Sequence, residues 1–367
     1  MKRKLTAKAL IIPLIVAYFV LLPLLGAAVI GEHRYERNHP AYMSHLWHRM
    51  LGDEESIAWT GGADDLPAGA KNGQFNILVV GKDRAAGLTD VIMLASLNTE
   101  QQRLQLLQIP RDTYANYTDR DYKKINGAYA ALGGEGLTRF LSESMGVDID
   151  HYVCVDLDVL GEMVDMMGGI HMNVPCDMDY DDPDQNLHIH IKAGEQILDG
   201  QAAQSFVRFR SGYALADVGR MDAQKLFMSS LAKQAKEKLS LAQTVNLVCR
   251  CFSKVKTDMK LNDCIECVKH LRAVGMSSLH MATLPGESAR ANGNSGAWYY
   301  ILNREATELL LDKTVGVQKS FDPSTVFTNP KKSAFDAIYR ASANRYQIHE
   351  YSAQDALDGS ITVRRVG

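Results

Sequence analysis

The stretch Phe75-Asn76-Ile77-Leu78-Val79-Val80-Gly81 has the apolar composition of a buried β-strand. Two further strand candidates follow it, at Val91–Leu97 and Arg103–Ile109. Beyond them, strand patterns alternate with helical ones. Leu157–Met167 has the spacing of an amphipathic helix and is followed by two glycines, which are a common stop signal. This alternation predicts an α/β fold with a central mixed sheet flanked by helices on both faces.

The other elements come from the same two patterns. The remaining predicted strands are His151–Val155, Ile170–Val174 and Met281–Leu284, and the remaining predicted helices are Gly136–Met145, Met221–Leu239, Ala242–Phe252, Asn262–Val274 and Asn303–Leu311.

The composition argues against one class of function. The chain has 367 residues and a formal net charge of −3, so nothing indicates nonspecific binding to nucleic acid. Any role for basic residues must therefore be confined to a pocket.

The N-terminal segment predicts a membrane location. Residues 9–31 form a stretch of 23 residues without a charge, preceded by Lys2, Arg3, Lys4 and Lys8. That length crosses a hydrocarbon core as a helix, and the positive flank predicts that residues 1–8 stay in the cytoplasm. The alternative is a cleaved signal peptide, whose apolar region is usually shorter. The predicted organisation is thus a single-pass anchor in the cell membrane, a juxtamembrane stalk and linker (32–71), an extracytoplasmic globular domain (72–315) and a C-terminal extension (316–367) that packs on that domain or trails it.

Two clusters of potential metal ligands are interpreted as structural. The pairs Cys249/Cys251 and Cys264/Cys267 lie in helical patterns, which favours a disulfide or buried thiols over a zinc site. The aspartates of segment 177–184 lack the glycine and terminal glutamate of an EF-hand, which favours a solvated loop.

Basic residues recur after the predicted strands. Ile109-Pro110-Arg111-Asp112-Thr113 places a guanidinium where a strand should end, which is where ligands bind in α/β sheets. Lys124-Ile125-Asn126, Val207-Arg208-Phe209-Arg210 and Gly219-Arg220 follow. Separate basic clusters after a sheet pattern predict a pocket for a ligand with several negative charges, such as a pyrophosphate.

These motifs, in this order, resemble the LytR-CpsA-Psr family. The matching segments are Asn76–Asp83, Thr89-Asp90, Ile109–Thr113, Lys124–Tyr129, Gly168–Ile170, Leu198–Ala202, Val207–Arg210 and Asp217–Gln224, with Thr283–Gly286 resembling a later region. The resemblance implies a phosphotransferase of the Gram-positive cell envelope. Such an enzyme transfers a glycopolymer from a polyprenyl-pyrophosphate carrier to the C6 hydroxyl of N-acetylmuramic acid in peptidoglycan, with magnesium assisting. The family often has arginine where this chain has Leu88, so Arg84 is the residue that could supply that charge. The family also often has histidine where this chain has Gly127.

Within that framework, each residue has an expected role. Asp83 and Asp90 flank a short loop between two strands and could hold one Mg²⁺. Arg208 and Arg210, two apart in an extended segment, would share a face and grip the diphosphate. Arg220 precedes a long helix, with Gln224 one turn further on the same face. The predicted pyrophosphate contacts are Arg84, Arg111, Lys124, Asn126, Arg208, Arg210, Arg220 and Gln224.

Two other functions are compatible with the same residues. A hydrolase would use the same pocket with water as the acceptor. A non-catalytic lipid-binding protein would need the arginines but not Asp83 and Asp90. Either aspartate could also serve as the general base.

Overall fold

A computed structural model describes residues 73–82, 88–118, 123–183, 187–213, 217–292, 295–316, 333–346, 348–361 and 363. The predicted membrane helix, the stalk, and the site residues Asp83 and Arg84 lie outside these ranges. Within them, no helix combines the length and the apolar character needed to cross a membrane.

The chain alternates strands and helices over most of the described length. The strands are β1 Gln74–Lys82, β2 Thr89–Asn98, β3 Arg103–Gln108, β4 His151–Asp156, β5 Ile170–Val174, β6 Met178–Asp182, β7 Leu187–Ile191, β8 Gly194–Leu198, β9 Lys256–Thr257, β10 Leu279–Thr283, β11 Gly286–Asn292, β12 Ser295–Leu302 and β13 Glu350–Ser352. The α-helices are α1 Ala128–Met145, α2 Leu157–Met166, α3 Gly200–Arg208, α4 Asp217–Lys238, α5 Leu241–Cys251, α6 Leu261–Ala273, α7 Arg304–Thr314, α8 Ser333–Tyr339 and α9 Ala353–Leu357. Short 3-10 helices occur at Ile125–Gly127, Phe252–Lys254, Met276–Ser278 and Ala343–Arg345.

A mixed sheet forms the centre of the fold. In the part of the chain that the structure describes, its strand order is β13-β10-β3-β2-β1-β4-β9. β1 pairs with β2 antiparallel and with β4 parallel, while β3 pairs with β10 parallel. Three two-stranded pairs, β5-β8, β6-β7 and β11-β12, lie outside this sheet.

The central sheet is buried on both faces. Along β1, Phe75, Ile77 and Val79 join one apolar cluster, with helices α2 to α6. Leu78 and Val80 point the other way and join a second cluster, with α1 and α7. Because successive side chains of a strand alternate between faces, a nearly continuous apolar run is what a sheet covered on both sides requires. The predicted mixed α/β architecture is confirmed.

The aspartate-rich segment forms a hairpin, so the predicted solvated loop is wrong for residues 178–182. β6 pairs with β7, and the exposed side chains of Asp179 and Asp181 lie opposite His190 and His188. The Nδ1 atoms of the two histidines lie 2.7 and 2.5 Å from the facing carboxylates. Cross-strand pairs of this kind stabilise a two-stranded ribbon that has one polar face.

All six cysteines are free thiols in this structure. Cys251, Cys264 and Cys267 are buried between α5, α6 and the sheet, and burial raises the pKa of Cys251 to about 12. They therefore contribute to the core as small apolar side chains.

The residues after α7 are attached to the edge of the central sheet. β13 pairs antiparallel with β10, next to β3. Glu350 on β13 forms ion pairs with Arg103 at 2.6 Å and with Lys313 at 2.7 Å. Its side chain is only 13% exposed. These contacts fix residues 350–352 to the domain, so of the two predicted arrangements of the extension these residues adopt the packed one.

The crossing of α2 and α3 depends on Gly200. A Cβ at this position would lie 2.2 Å from the carbonyl oxygen of Gly161 and 2.6 Å from Oδ2 of Asp165. We expect Gly200→Ala to lower the free energy of unfolding by about 1–3 kcal/mol, because backbone must move to make room. Gly275→Ala is the control, since its Cβ would meet nothing closer than 3.8 Å. Urea unfolding of both variants measures the difference, and equal stabilities would contradict the close crossing.

Asp263 makes stability depend on pH. It lies in the first turn of α6, and burial raises its pKa to about 6. Its protonated form is thus favoured on folding, so the associated stability is fully present below the unfolded pKa, near 4, and is lost as the pH rises through about 6. We expect Asp263→Asn to raise the free energy of unfolding by about 1–2 kcal/mol at pH 7.5 and to change it little at pH 4. Thermal unfolding at both pH values tests this. Asp158→Asn, an exposed first-turn aspartate on α2, is the control, and a gain that did not depend on pH would contradict the assignment.

Candidate functional site

The segment Pro110–Thr113 forms a tight turn directly after β3. The Thr113 N–H donates to the Pro110 carbonyl at 2.9 Å, and the Thr113 hydroxyl donates to the same oxygen at 2.6 Å. Arg111 and Asp112 therefore occupy the two central positions of the turn, where side chains project away from the backbone. The Asp112 carbonyl accepts from the Tyr300 N–H, which ties the turn to β12.

Two arginines converge on one carboxylate at this edge of the sheet. Nη1 of Arg111 lies 2.5 Å from Oδ1 of Asp90, and Nη1 of Arg220 lies 3.4 Å from the same oxygen. Arg220 is only 2% exposed, and Arg111 and Asp90 are each less than one-fifth exposed. Two guanidinium groups therefore meet at one carboxylate oxygen. Guanidinium groups brought together in this way match the geometry of a phosphate and favour an anionic ligand.

Arg220 reaches this position from the first turn of α4, whereas the sequence placed it before the helix. The preceding residue, Gly219, allows a close approach to Tyr213: a Cβ there would lie 2.6 Å from the Tyr213 Cβ. Amide groups at a helix N-terminus favour negative charge. A ligand phosphate next to Arg220 would therefore be stabilised by both the guanidinium and the helix.

Lys124 and Asn126 lie beside the same turn. Nζ of Lys124 is 3.0 Å from Oδ1 of Asp112. Asn126 is buried: its N–H donates to the Arg111 carbonyl at 3.1 Å, and its own carbonyl accepts from the Thr89 hydroxyl. The Lys-Ile-Asn motif thus holds the Arg111 turn against β2.

Arg208 and Arg210 are arranged differently from the prediction. Arg208 is the last residue of α3, and Phe209 caps that helix, so the two arginines do not share one face of an extended segment. The alternation of burial is nevertheless real. Val207 and Phe209 are buried, Arg208 is half-buried and Arg210 is exposed.

Gln224 joins the elements that carry these residues. Its side-chain NH₂ donates to the Val207 carbonyl at 2.9 Å, and its amide oxygen accepts from the side chain of Gln108 at 2.7 Å. Gln224 is 2% exposed. Its amide therefore braces α3, α4 and β3 one turn from Arg220. The sequence showed no sign of the role of Gln108, which lies in an ordinary strand pattern.

An apolar cavity adjoins the cluster. It encloses about 590 Å³, including its open mouth, between the sheet and the helices α2 and α4. Three of its lining residues neighbour site residues in the chain or on a helix: Val91 follows Asp90, Val207 precedes Arg208, and Gln224 lies one turn after Arg220. Other lining residues include Val79, Met93, Leu160, Phe227 and Met228. No sequence pattern reveals this cavity, because its lining residues have the same composition as the hydrophobic core.

The structure thus joins Asp90, Arg111 and Arg220 by direct contacts and places Lys124, Asn126 and Gln224 on the elements that hold them. Arg208 ends the helix that Gln224 anchors, and Arg210 lies just beyond it. The predicted roles of Asp83 and Arg84 fall on residues outside the described part of the chain.

The comparison with protein families gives a decisive match. The model described as the LytR_cpsA_psr family matches residues 49–315. The chain belongs to the LytR-CpsA-Psr family. The resemblance inferred from the sequence motifs is thereby confirmed.

Two of the named relatives of this family member are transferases. This chain is 29% identical over 202 residues to the polyisoprenyl-teichoic acid–peptidoglycan teichoic acid transferase TagV of Bacillus subtilis. The match covers 53% of this chain and 52% of TagV. The chain is 25% identical to TagU of Halalkalibacterium halodurans, a transferase of the same description, covering 79% of this chain and 93% of TagU. A probable cell wall biosynthesis protein of Corynebacterium glutamicum, LcpB, is 37% identical over 48% of this chain and 41% of its own length. The chain thus spans about half the length of TagV. The predicted enzyme class agrees with the names of the first two relatives.

Solved structures of relatives have the same fold. The crystal structure of B. subtilis TagV superimposes with a TM-score of 0.58 and 23% identity, covering 69% of this chain and all of the crystallised TagV chain. A structure of TagT bound to LIIa-WTA gives 0.54 and 22% identity, covering 68% and 94%. At these identities the likeness establishes the mixed α/β architecture.

Proposed function

We propose that this protein transfers a glycopolymer from a polyprenyl-pyrophosphate carrier to peptidoglycan. The observation that carries the proposal is a buried arginine cluster whose neighbouring residues line an apolar cavity. A lipid pyrophosphate has those two parts in the same order, a charged head and an apolar tail. The transferases TagV and TagU, which this chain resembles, support the choice of polymer and acceptor.

The reaction we propose is a displacement at phosphorus. A hydroxyl oxygen, the C6 hydroxyl of N-acetylmuramic acid, attacks the phosphorus that carries the glycopolymer. The bond from that phosphorus to the lipid phosphate breaks, and polyprenyl phosphate leaves with the bonding electrons. The hydroxyl proton goes to a carboxylate of the site, Asp83 or Asp90. The new bond is a phosphodiester between polymer and peptidoglycan.

The described residues stabilise this displacement mainly by charge. Phosphoryl transfer depends on positioning and on neutralising the phosphate oxygens. Arg111 and Arg220 supply fixed positive charge, and Asp90 holds their guanidinium groups close together. Arg208 and Lys124 flank this centre on α3 and beside the turn. Such a preorganised arrangement needs little rearrangement during reaction.

The site is also compatible with a magnesium ion. Both described contacts of Asp90 use Oδ1, so Oδ2 is the oxygen that Asp90 could offer to the ion, with Asp83 as the second predicted ligand. Hard carboxylate oxygens are the ligands that Mg²⁺ prefers. When bound, the ion would neutralise further charge on the phosphates.

The location we propose follows from residues 9–31. Their length and positive flank support a single-pass membrane helix with the catalytic domain outside the cell. A membrane-anchored domain of this kind would meet both a lipid-linked donor and the peptidoglycan.

The test uses the full chain in detergent micelles, with a lipid-pyrophosphate-linked oligosaccharide and a peptidoglycan oligomer, in the presence and absence of magnesium. Mass spectrometry follows the sugar and the released polyprenyl phosphate. We expect a magnesium-dependent phosphodiester adduct on the acceptor. Release of sugar phosphate without an adduct would instead identify a hydrolase. Bound lipid without turnover, under conditions in which TagU is active, would identify a lipid-binding protein.

A further inference from the structure

A second cavity lies on the other side of α4 from the apolar one. It encloses about 1330 Å³, including its open mouth. Three parts of the chain line it: the first turns of α4, the junction of β10 and β11 with the facing strand β12, and Tyr346, His349 and Tyr351 after α8. We call it the tail cleft, because Tyr346, His349 and Tyr351 form one of its walls.

The tail cleft and the apolar cavity are separated by α4. Asp222 and Lys225 line the tail cleft, whereas Gln224 and Phe227 line the apolar cavity. At 100° per residue, Asp222 and Gln224 are 200° apart around the helix, so the two cavities lie on nearly opposite faces. Arg220 is about 3 Å along the axis from Asp222, which puts the arginine cluster near the same end of both.

The tail cleft is also connected directly to the Arg111 turn. Its lining residue Tyr300 donates its N–H to the Asp112 carbonyl at 2.9 Å. The Leu284 N–H, at the end of β10, donates to the Gln108 carbonyl at 3.0 Å. The cleft therefore lies next to the turn that carries Arg111 in the proposed reaction centre.

The lining of the cleft combines aromatic rings with polar groups of both charges. His349 and Tyr351 stack with their ring centroids 6.0 Å apart and an interplanar angle of 8°, and His349 is exposed. Tyr351 and Asp222 both line the cleft, and burial together with the Asp222 carboxylate raises the pKa of Tyr351, which keeps the phenol neutral. On the opposite wall, Glu287 accepts a hydrogen bond from the Tyr346 hydroxyl at 2.9 Å.

This chemistry fits a glycan. Aromatic faces carry partial negative charge and pack against the C–H face of a pyranose ring, while the carboxylates of Asp222 and Glu287 can accept hydrogen bonds from its hydroxyl groups. Asp222 is paired with Lys225 at 2.8 Å and Glu287 with Arg345 at 2.9 Å, so both carboxylates are compensated by cations. Such charged groups disfavour a lipid tail. About 620 Å³ of the cleft is accessible to a ligand, which lies within the range of ordinary small-molecule sites, about 300–1,000 Å³, and suits a short chain of sugars.

The geometry of the reaction decides which glycan belongs there. In a phosphoryl transfer, the attacking and leaving oxygens are roughly in line across the phosphorus. If the leaving lipid phosphate lies on the apolar-cavity side of α4, the attacking hydroxyl must approach from the opposite side, where the tail cleft opens. We propose that the tail cleft binds the acceptor glycan strand, with His349 and Tyr351 as its stacking platform. This inference rests on the proposed transferase function.

The match to the family model ends at residue 315, whereas the tail wall comes from residues 346–351. The acceptor platform is therefore supplied by a part of the chain outside the matched region. Glu350, between the two stacked rings, is the residue whose ion pairs hold this segment on the sheet.

The test measures binding of a tetrasaccharide of alternating N-acetylglucosamine and N-acetylmuramic acid to the full chain by calorimetry. We expect His349→Ala and Tyr351→Ala each to raise its Kd about tenfold, because each removes one ring face. Tyr351→Phe keeps the ring and should bind nearly as well as the original chain. His188→Ala, an exposed histidine on the β6-β7 hairpin, is the matched control and should change nothing.

The donor provides the second readout. Polyprenyl pyrophosphate and the lipid-linked oligosaccharide should bind equally well to the original chain and to all four variants. In the transfer assay, His349→Ala and Tyr351→Ala should raise KM for the acceptor and leave KM for the donor unchanged. Unchanged tetrasaccharide affinity, or a loss confined to the donor oligosaccharide, would overturn the proposal.

The two proposals can fail separately. Turnover with a normal acceptor KM in the ring variants would leave the transferase function standing and remove the tail cleft as acceptor site. Tetrasaccharide binding that depends on the rings, in a chain without transferase activity, would leave the cleft as a glycan site and remove the reaction.

Discussion

Arg220→Ala is expected to lower the rate of glycopolymer transfer by about 10²–10³-fold, the usual effect of removing one preorganised charge contact. Arg220 is 2% exposed, lies in the first turn of α4 and shares Oδ1 of Asp90 with Arg111. Its loss removes the buried charge next to the expected phosphate position. The rate with saturating donor and acceptor, followed by mass spectrometry, measures the effect.

Two comparison variants separate charge from fold. Arg250→Ala changes an exposed arginine on α5 and should leave the rate unchanged. Arg220→Lys keeps the charge but loses the forked geometry, so we expect an intermediate rate. Thermal unfolding shows whether each variant is folded. A folded Arg220→Ala protein with a rate within threefold of the original would contradict the placement of the phosphates at this cluster.

Leu160→Trp is expected to raise KM for the lipid-linked donor by about 10- to 100-fold. Leu160 is half-buried and lines the apolar cavity from α2, so an indole there would occupy space needed by the lipid. Each methylene group kept out of an apolar site forfeits about 0.8 kcal/mol, and two or three of them account for a change of this size. Initial rates at varied donor concentration provide the measurement.

The length of the lipid distinguishes a blocked cavity from a general defect. A donor whose lipid is cut to a few carbons should be used equally well by the original chain and by Leu160→Trp. Leu309→Trp makes the same substitution on α7 at a side chain that is 55% exposed, and should leave both KM values unchanged. Equal losses with the long and short donors would show that the lipid does not occupy this cavity.

Much of the fold was predictable because its signals are local. The apolar run of β1 is what a strand buried on both faces requires, and the structure places its alternate residues in two separate clusters. The helix Leu157–Met166 ends where the glycine pair predicted. Each family motif is also a short stretch of sequence, so the motifs and their order identified the family that the comparison then confirmed.

The predictions that failed depended on short patterns. The pattern of Val207-Arg208-Phe209-Arg210 alternates like that of a strand, but these residues form the end of α3 and its cap. A helix forms here because Asp199 caps its start and because it packs along α2. Four alternating residues cannot separate a strand from a helix terminus. Asp179, Asp181 and Asp182 were similarly ambiguous until β7 paired with the strand that carries them.

By itself, the sequence determined the strands and helices of the central layers and the family. It also determined the basic residues that a pyrophosphate ligand would need. These features could be read because composition and periodicity act over a few residues. Only the tertiary structure decided how those residues meet. Asp90, Arg111 and Arg220 come from three elements and share one oxygen. Both cavities on α4 are likewise formed by segments far apart in the chain. Such contacts depend on which distant segments pack together to bury their apolar faces, and no local pattern records that choice.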